Sequence, residues 1–383
     1  MPLLKKNMAP SLTGKDAPQP KQRSANPREA ARTSRDYARH KNFWRGMNLL
    51  ERALLGPLSP RVDTPHTVAW MWEHSTLLHY GLPSSEVRHN TPILIVPPLM
   101  VKPTIFDLRP AHSMVGYLLG RGYDVYMLDF GVPSSEDEAL MVDDYILDFI
   151  PNAVQKICEK TGAPEVTLLG WSMGGIMNYT YCAYYGEAAR ARNVITIGSP
   201  LDFSQMFPFS YLAKLADVPG TMAILETMGN IPPILTRTGF KLVSPVSSLT
   251  RYVDLYLNYW DREWVAGYET IGNWVDEFIP YPGAAFRQFV TDFVKDDRLR
   301  RGRLKIAGHH VDLQRIAANV CVVVGTGDKI APPECVGAAI NVLDVPDKQR
   351  IDAPLGHIGL VAGSGAPEHV WGPVADWLAS RSD

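Results

Sequence analysis

Short apolar runs recur along the first half of the chain, and between them apolar residues return at helical spacing. The runs are Ile93–Val96, Asp124–Leu128, Val166–Leu169 and Val194–Ile197. Strands alternating with helices predict an α/β fold, with a mostly parallel sheet covered by helices on both faces. From Ser204 to about Leu304 the alternation stops. That stretch is rich in aromatic residues, reads as helical and holds no clear strand, so it predicts a helical cap inserted between core strands. The sheet resumes at Val320–Gly325, a further strand leads to Pro354, and Pro367–Ser380 reads as a closing helix. The expected division is residues 65–203 and 305–383 for the two parts of the core, and 204–304 for the cap.

Composition changes this picture mainly at the N-terminus. Residues 1–45 hold eleven Lys/Arg against three Asp/Glu, a balance of +8 in a chain of net −2, which leaves −10 for the rest. Residues 1–35 are rich in Pro, Lys, Arg, Ser and Ala and are expected to be disordered; residues 36–64 are expected to be a helical segment. Within it, Asp36–Leu55 reads as a basic amphipathic helix with Trp44, Met47, Leu50 and Leu54 on one side. Such a helix either docks on its own domain or meets a membrane or lipid-granule surface. The near-neutral total charge gives no case for nucleic acid. The N-terminus has no apolar signal core, and the longest apolar run, Ile93–Val101, is too short to span a bilayer. The four cysteines, Cys158, Cys182, Cys321 and Cys335, show no paired spacing, which fits a reducing cytoplasm. No metal-ligand cluster is expected. His309-His310 reads as a solvated pair in a polar loop.

The chemistry is concentrated at Glu165–Gly175, EVTLLGWSMGG. An apolar strand runs into Gly170-Trp171-Ser172-Met173-Gly174, and a helical stretch follows. This is a G-x-S-x-G nucleophile elbow in its strand–turn–helix setting, and it predicts an α/β-hydrolase fold. Ser172 is the candidate nucleophile. It needs a base and an orienting carboxylate, in the chain order Ser, acid, His. His357, between glycines just before the last helix, is the candidate base. Asp328, at the end of strand Val320–Gly325, is the candidate acid, with Asp352 as its rival. The backbone N–H groups of Met173 and Leu99 are the candidate oxyanion donors. Leu99 is chosen because Pro97 and Pro98 carry no N–H.

From about residue 65 to 363 the chain resembles polyhydroxyalkanoate synthases, most closely the class III catalytic subunit. The resemblance rests on Pro97–Pro110 (PPLMVKPTIFDLRP), Asp129–Pro133 (DFGVP), Ser199–Phe203 (SPLDF), Trp274–Asp276, Gly283–Phe289 (GAAFRQF), Val311–Leu313 and Gly356–Gly359 (GHIG). It implies residue 172 as nucleophile, Asp328 as acid and His357 as base. It also implies dimerisation and a partner subunit. The family's elbow carries cysteine where Ser172 stands. It usually has Asn at position 101, Trp at 130 and His at 329, where this chain has Val101, Phe130 and Lys329. The expected activity is serine-dependent acyl transfer on hydroxyacyl thioesters or esters through an acyl-enzyme, with no cofactor and acyl-CoA as a candidate substrate. The alternatives are an esterase, thioesterase or intracellular polyester depolymerase, and a catalytically silent granule or partner protein.

Overall fold

The computed structural model describes residues 27–383 except 57, 59–62, 82–85, 205, 207–213, 215–217 and 243–252. Its centre is an eight-stranded sheet in the order β1-β2-β4-β3-β5-β6-β9-β10. The strands are β1 (Thr67–Trp72), β2 (Ser75–Tyr80), β3 (Ile93–Val96), β4 (Val125–Asp129), β5 (Val166–Trp171), β6 (Ala191–Ile197), β9 (Asn319–Gly325) and β10 (Lys348–Ala353). From β4 to β10 all neighbours pair in parallel, whereas β1 and β2 add an antiparallel edge. This is the mostly parallel α/β-hydrolase architecture expected.

The central strands are apolar on both faces because both faces are covered. Val320, Val322 and Val324 of β9 pack into one core, with Leu94 and Val96 of β3. Cys321 and Val323 enter the other, with Ile93 and Ile95. Period-two alternation is thus absent where burial is two-sided. The β1–β2 hairpin escaped the sequence reading for a different reason. A register shift between Val68 and Trp70 breaks its alternation, and Val68 and Met71 lie exposed at the sheet edge.

Between β6 and β9 the described residues include helices Thr221–Thr227, Pro233–Leu242, 253–258, Arg262–Asp276 and Gly283–Gln288. Only an isolated bridge, Ile231 to Tyr281, is strand-like among the described residues of 204–304. Just beyond, β7 (Lys305–Ile306) and β8 (His309–His310) form a separate two-stranded ribbon. His309-His310 is therefore a short exposed strand rather than a loop.

The N-terminus corrects one expectation. Helix α1 runs from Pro27 to Leu55, so residues 27–35 are helical and not disordered; residues 1–26 lie outside the described residues. Of the two readings of the helix, docking on its own domain is what the structure shows, though not through the apolar stripe. Trp44, Met47, Leu50 and Leu54 are all exposed. The opposite, polar face meets the cap: Asn48 is buried and its Nδ2 donates to the Tyr259 carbonyl at 2.8 Å, and Arg52 pairs with Glu269 at 2.9 Å. The buried Tyr259 carbonyl needs a donor, and Asn48 supplies it. Among the described residues, no helix is long and apolar enough to cross a membrane.

Candidate active site

β5 ends at Trp171, the next residue is Ser172, and the elbow helix (Met173–Tyr185) starts at once. Ser172 has φ 53° and ψ −122°, a conformation that side chains other than glycine rarely adopt. Such strain costs on the order of 1–3 kcal/mol and persists only where the surroundings impose it. Here they do. The Ser172 N–H donates to Ile197 O at 2.9 Å, while Ser172 O accepts from Gly175 N at 3.1 Å and Ile176 N at 3.3 Å. A β-carbon at position 174 would lie 2.0 Å from Val96 O. Glycine at 174 therefore lets the loop after β3, which carries Leu99, close onto the start of the elbow helix.

His357 and Asp328 arrive from different loops after β10 and β9. Their side chains meet with Nδ1 to Oδ2 at 2.7 Å, and both are almost fully buried. The second oxygen of Asp328 accepts from Ile330 N at 2.8 Å and Ala331 N at 2.9 Å. Both carboxylate oxygens are thus engaged, and the carboxylate is held in one orientation toward the imidazole. Asp352 is elsewhere: it forms a forked pair with Arg350 at 2.7 Å and is about half exposed, at 48 %. One further contributor was not read from the sequence. Gly198, φ +54°, lies at the end of β6, and a β-carbon there would stand 3.3 Å from His357 Nδ1 and 3.4 Å from Asp328 Oδ2. Its only signal was its place just before the Ser199-Pro200 run.

Ser172, Met173, His357 and Leu99 line one cavity of about 350 Å³, roofed by cap residues including Leu225, Ile231, Tyr281 and Phe286. The wall is aliphatic and aromatic, and no Asp, Glu, Lys or Arg is among the described residues that line it. Such a chamber suits an uncharged, apolar acyl group. Of the three positions at which this chain differs from the resembled family around the site, only Val101 lines the cavity. Phe130 is buried in the core, edge-on to Tyr145, and Lys329 is exposed.

No cysteine occupies the elbow; all four are buried. Burial raises the thiol pKa of Cys158 and Cys182, and pushes that of Cys321 up to about 12. Thiols held protonated in this way are poor nucleophiles. Among the described residues no cluster of His, Cys, Asp and Glu could hold a metal ion.

Known proteins bear on this arrangement in two ways. The profile of the alpha/beta hydrolase fold matches residues 100–225, and that of the poly-beta-hydroxybutyrate polymerase (PhaC) N-terminus matches residues 62–118. Among solved structures, Rv0554 of Mycobacterium tuberculosis superposes with a TM-score of 0.51 at 16 % identity, covering 76 % of this chain and 91 % of that one, which bears on the fold alone. Among curated proteins, the poly(3-hydroxyalkanoate) polymerase subunit PhaC of Haloferax mediterranei is 32 % identical over 323 residues. The match covers 84 % of this chain and 65 % of the relative, so this chain spans about two thirds of that protein's length. PhaC of Allochromatium vinosum is 31 % identical over 326 residues, covering 84 % of this chain and 90 % of its own. At that identity and coverage, the chain belongs to the poly(3-hydroxyalkanoate) polymerase PhaC family.

Proposed function

We propose that this chain is a serine-dependent acyltransferase that acts on hydroxyacyl thioesters through Ser172, His357 and Asp328. The observation that carries the reading is the buried 2.7 Å His357–Asp328 pair, whose His357 lines the same apolar chamber as Ser172, in a chain of the PhaC family. His357 takes the Ser172 proton as Oγ bonds to the acyl carbon. The oxyanion is held by the Met173 and Leu99 amides, each worth roughly 10²–10³ in rate in comparable sites. The C–S bond then breaks and His357 returns the proton to the leaving thiolate. An acceptor hydroxyl, the end of a growing hydroxyacyl chain, next gives its proton to His357 and attacks the acyl-enzyme; the Ser172 Oγ–acyl bond breaks, Oγ takes the proton back from His357, and the lengthened ester is released. Asp328 holds the imidazole tautomer and supports the imidazolium.

Being named subunits, the relatives support a homodimer or a partner subunit for this chain as well. On the same reading the protein works in the cytoplasm, at the surface of its polymer product. A hydrolase is the second reading, and Ser172 favours it: an oxyester acyl-enzyme is less labile than the thioester a cysteine forms, and is familiar from hydrolases.

The test is mass spectrometry of products after incubation with hydroxyacyl-CoA, with and without an alcohol acceptor. Oligoesters are expected from the wild type and neither oligoester nor free acid from Ser172→Ala. Free acid alone, across several chain lengths, would leave the hydrolase reading standing and remove the synthase one.

A further inference from the structure

His357 lies in the loop between β10 and the short helix Gly359–Ala362. That helix uses the neighbouring carbonyls: Gly356 O accepts from Leu360 N at 3.0 Å, and Ile358 O from Val361 N and Ala362 N at 3.1 and 2.9 Å. The carbonyl of His357 itself is met from across the site. The indole N–H of Trp171, the residue before Ser172, donates to it at 3.2 Å. The same indole stands against the imidazole, with ring centroids 5.0 Å apart and 38° between planes. Trp171 is only 2 % exposed and lines the cavity. Behind it stands Trp274 of the cap helix Arg262–Asp276, at 6.1 Å between ring centroids. The Trp274 N–H donates to Lys102 O at 3.0 Å, and Ile279 N donates to Met100 O at 3.2 Å, so this part of the cap also holds the loop that carries Leu99.

We propose that Trp171 is the positioning residue for His357, fixing its main chain through the indole N–H and stabilising its imidazolium through the ring. The inference rests on the reading of Ser172 and His357 as nucleophile and base. The residue before the nucleophile is well placed for this role, because one strand end then sets both the hydroxyl and the base that must reach it. A large aromatic residue filling space beneath the site would explain the burial. It would not explain an N–H aimed at the main chain of residue 357. The ring lies within the roughly 6 Å at which an aromatic quadrupole attracts a cation. Among the described residues the carboxylate that meets His357 is Asp328, paired with Nδ1; Lys329, the next residue in the chain after Asp328, is exposed. The described cavity wall adds no fixed charge.

The experiment measures kcat and KM on a soluble ester for wild type, Trp171→Phe, Trp171→Leu and Trp274→Phe. Thermal melting is followed on the same samples. Trp171→Phe keeps a ring and loses the N–H, so kcat is expected to fall about three- to tenfold with KM within about twofold. Trp171→Leu also loses the ring that faces the imidazolium formed during attack, so its kcat should fall about two- to fivefold further, again with KM little changed. Trp274→Phe likewise keeps a ring and loses an N–H, but one directed at Lys102 rather than at His357, so its melting should fall comparably while its kcat falls less than that of Trp171→Phe. If Trp171→Phe keeps full kcat, or loses no more than Trp274→Phe does, Trp171 is packing alone. Should Trp171→Leu fail to fold, the kcat of Trp171→Phe decides by itself. Ser172→Ala is run in parallel: turnover retained there removes the nucleophile assignment, whatever the tryptophan variants show.

Discussion

At the scale of single residues, the site depends on orientation more than on residue identity. Two aspartates lie near the ends of adjacent parallel strands, Asp328 after β9 and Asp352 in β10. Only Asp328 points at the imidazole, with its second oxygen tied to two backbone amides. Asp352 faces solvent beside Arg350. Asp328→Asn presents an amide where a carboxylate should accept, so it favours the wrong His357 tautomer. The loss in kcat is expected to be on the order of 10⁴, by the serine-protease precedent. Asp352→Asn removes only an exposed pair and should leave turnover within about twofold. Steady-state kinetics on one ester substrate checks both; the reverse ranking would overturn the assignment of the acid. Gly198 belongs to the same account, since the His357–Asp328 pair occupies the space that a side chain there would fill.

Among the elements, α1 carries the least expected result. Its polar face makes specific, partly buried contacts with the cap, while its apolar stripe stays in solvent. Described contacts between the helix and the cap begin at Lys41, whose ammonium lies 4.4 Å from the Trp260 ring centroid. Removing residues 1–35, a basic stretch rich in Pro, Ser and Ala at the chain terminus, is expected to leave the melting temperature nearly unchanged. Asn48→Ala should lower it, because the buried Tyr259 carbonyl loses its donor at a cost of about 1–3 kcal/mol. Differential scanning calorimetry on the full chain and the two variants distinguishes the cases. A large loss on removal of residues 1–35 would mean that the first turns of α1 also hold the cap.

At the scale of the whole molecule, the fold buries every native thiol, so a cysteine placed at position 172, in the cavity wall, would stand apart from them. The four native cysteines are buried, and burial keeps those at 158, 182 and 321 protonated near neutral pH. Iodoacetamide at pH 8 should therefore leave native wild-type protein essentially unmodified and still active. Ser172→Cys should take up a single label, with loss of turnover. A thioester acyl-enzyme is more reactive toward an acceptor than an oxyester. The unlabelled variant is therefore expected to keep or raise the ratio of oligoester to free acid from hydroxyacyl-CoA. Peptide mapping and product analysis on the same preparation check both halves. Rapid labelling of the wild type with loss of activity would move the nucleophile away from Ser172.

What could be read along the chain was whatever local physics determines. The elbow was legible because a strand end, two glycines, a serine and a helix start lie within a few residues, and their sterics admit few other arrangements. The parallel strands were legible because two-sided burial leaves continuous apolar runs, and the cap because the alternation of strand and helix stops at about residue 204. The β1–β2 hairpin was not, since its bulge and its exposed edge remove the period-two signal. Nor was the orientation of α1, because amphipathicity says which face is apolar and not what the polar face will bind. Which aspartate meets His357, why position 198 must be glycine, and how Trp171 reaches a carbonyl 186 positions away are matters of tertiary structure. These contacts join loops at the ends of different strands. Their distances follow from the order and register of the whole sheet, which no local window of sequence contains.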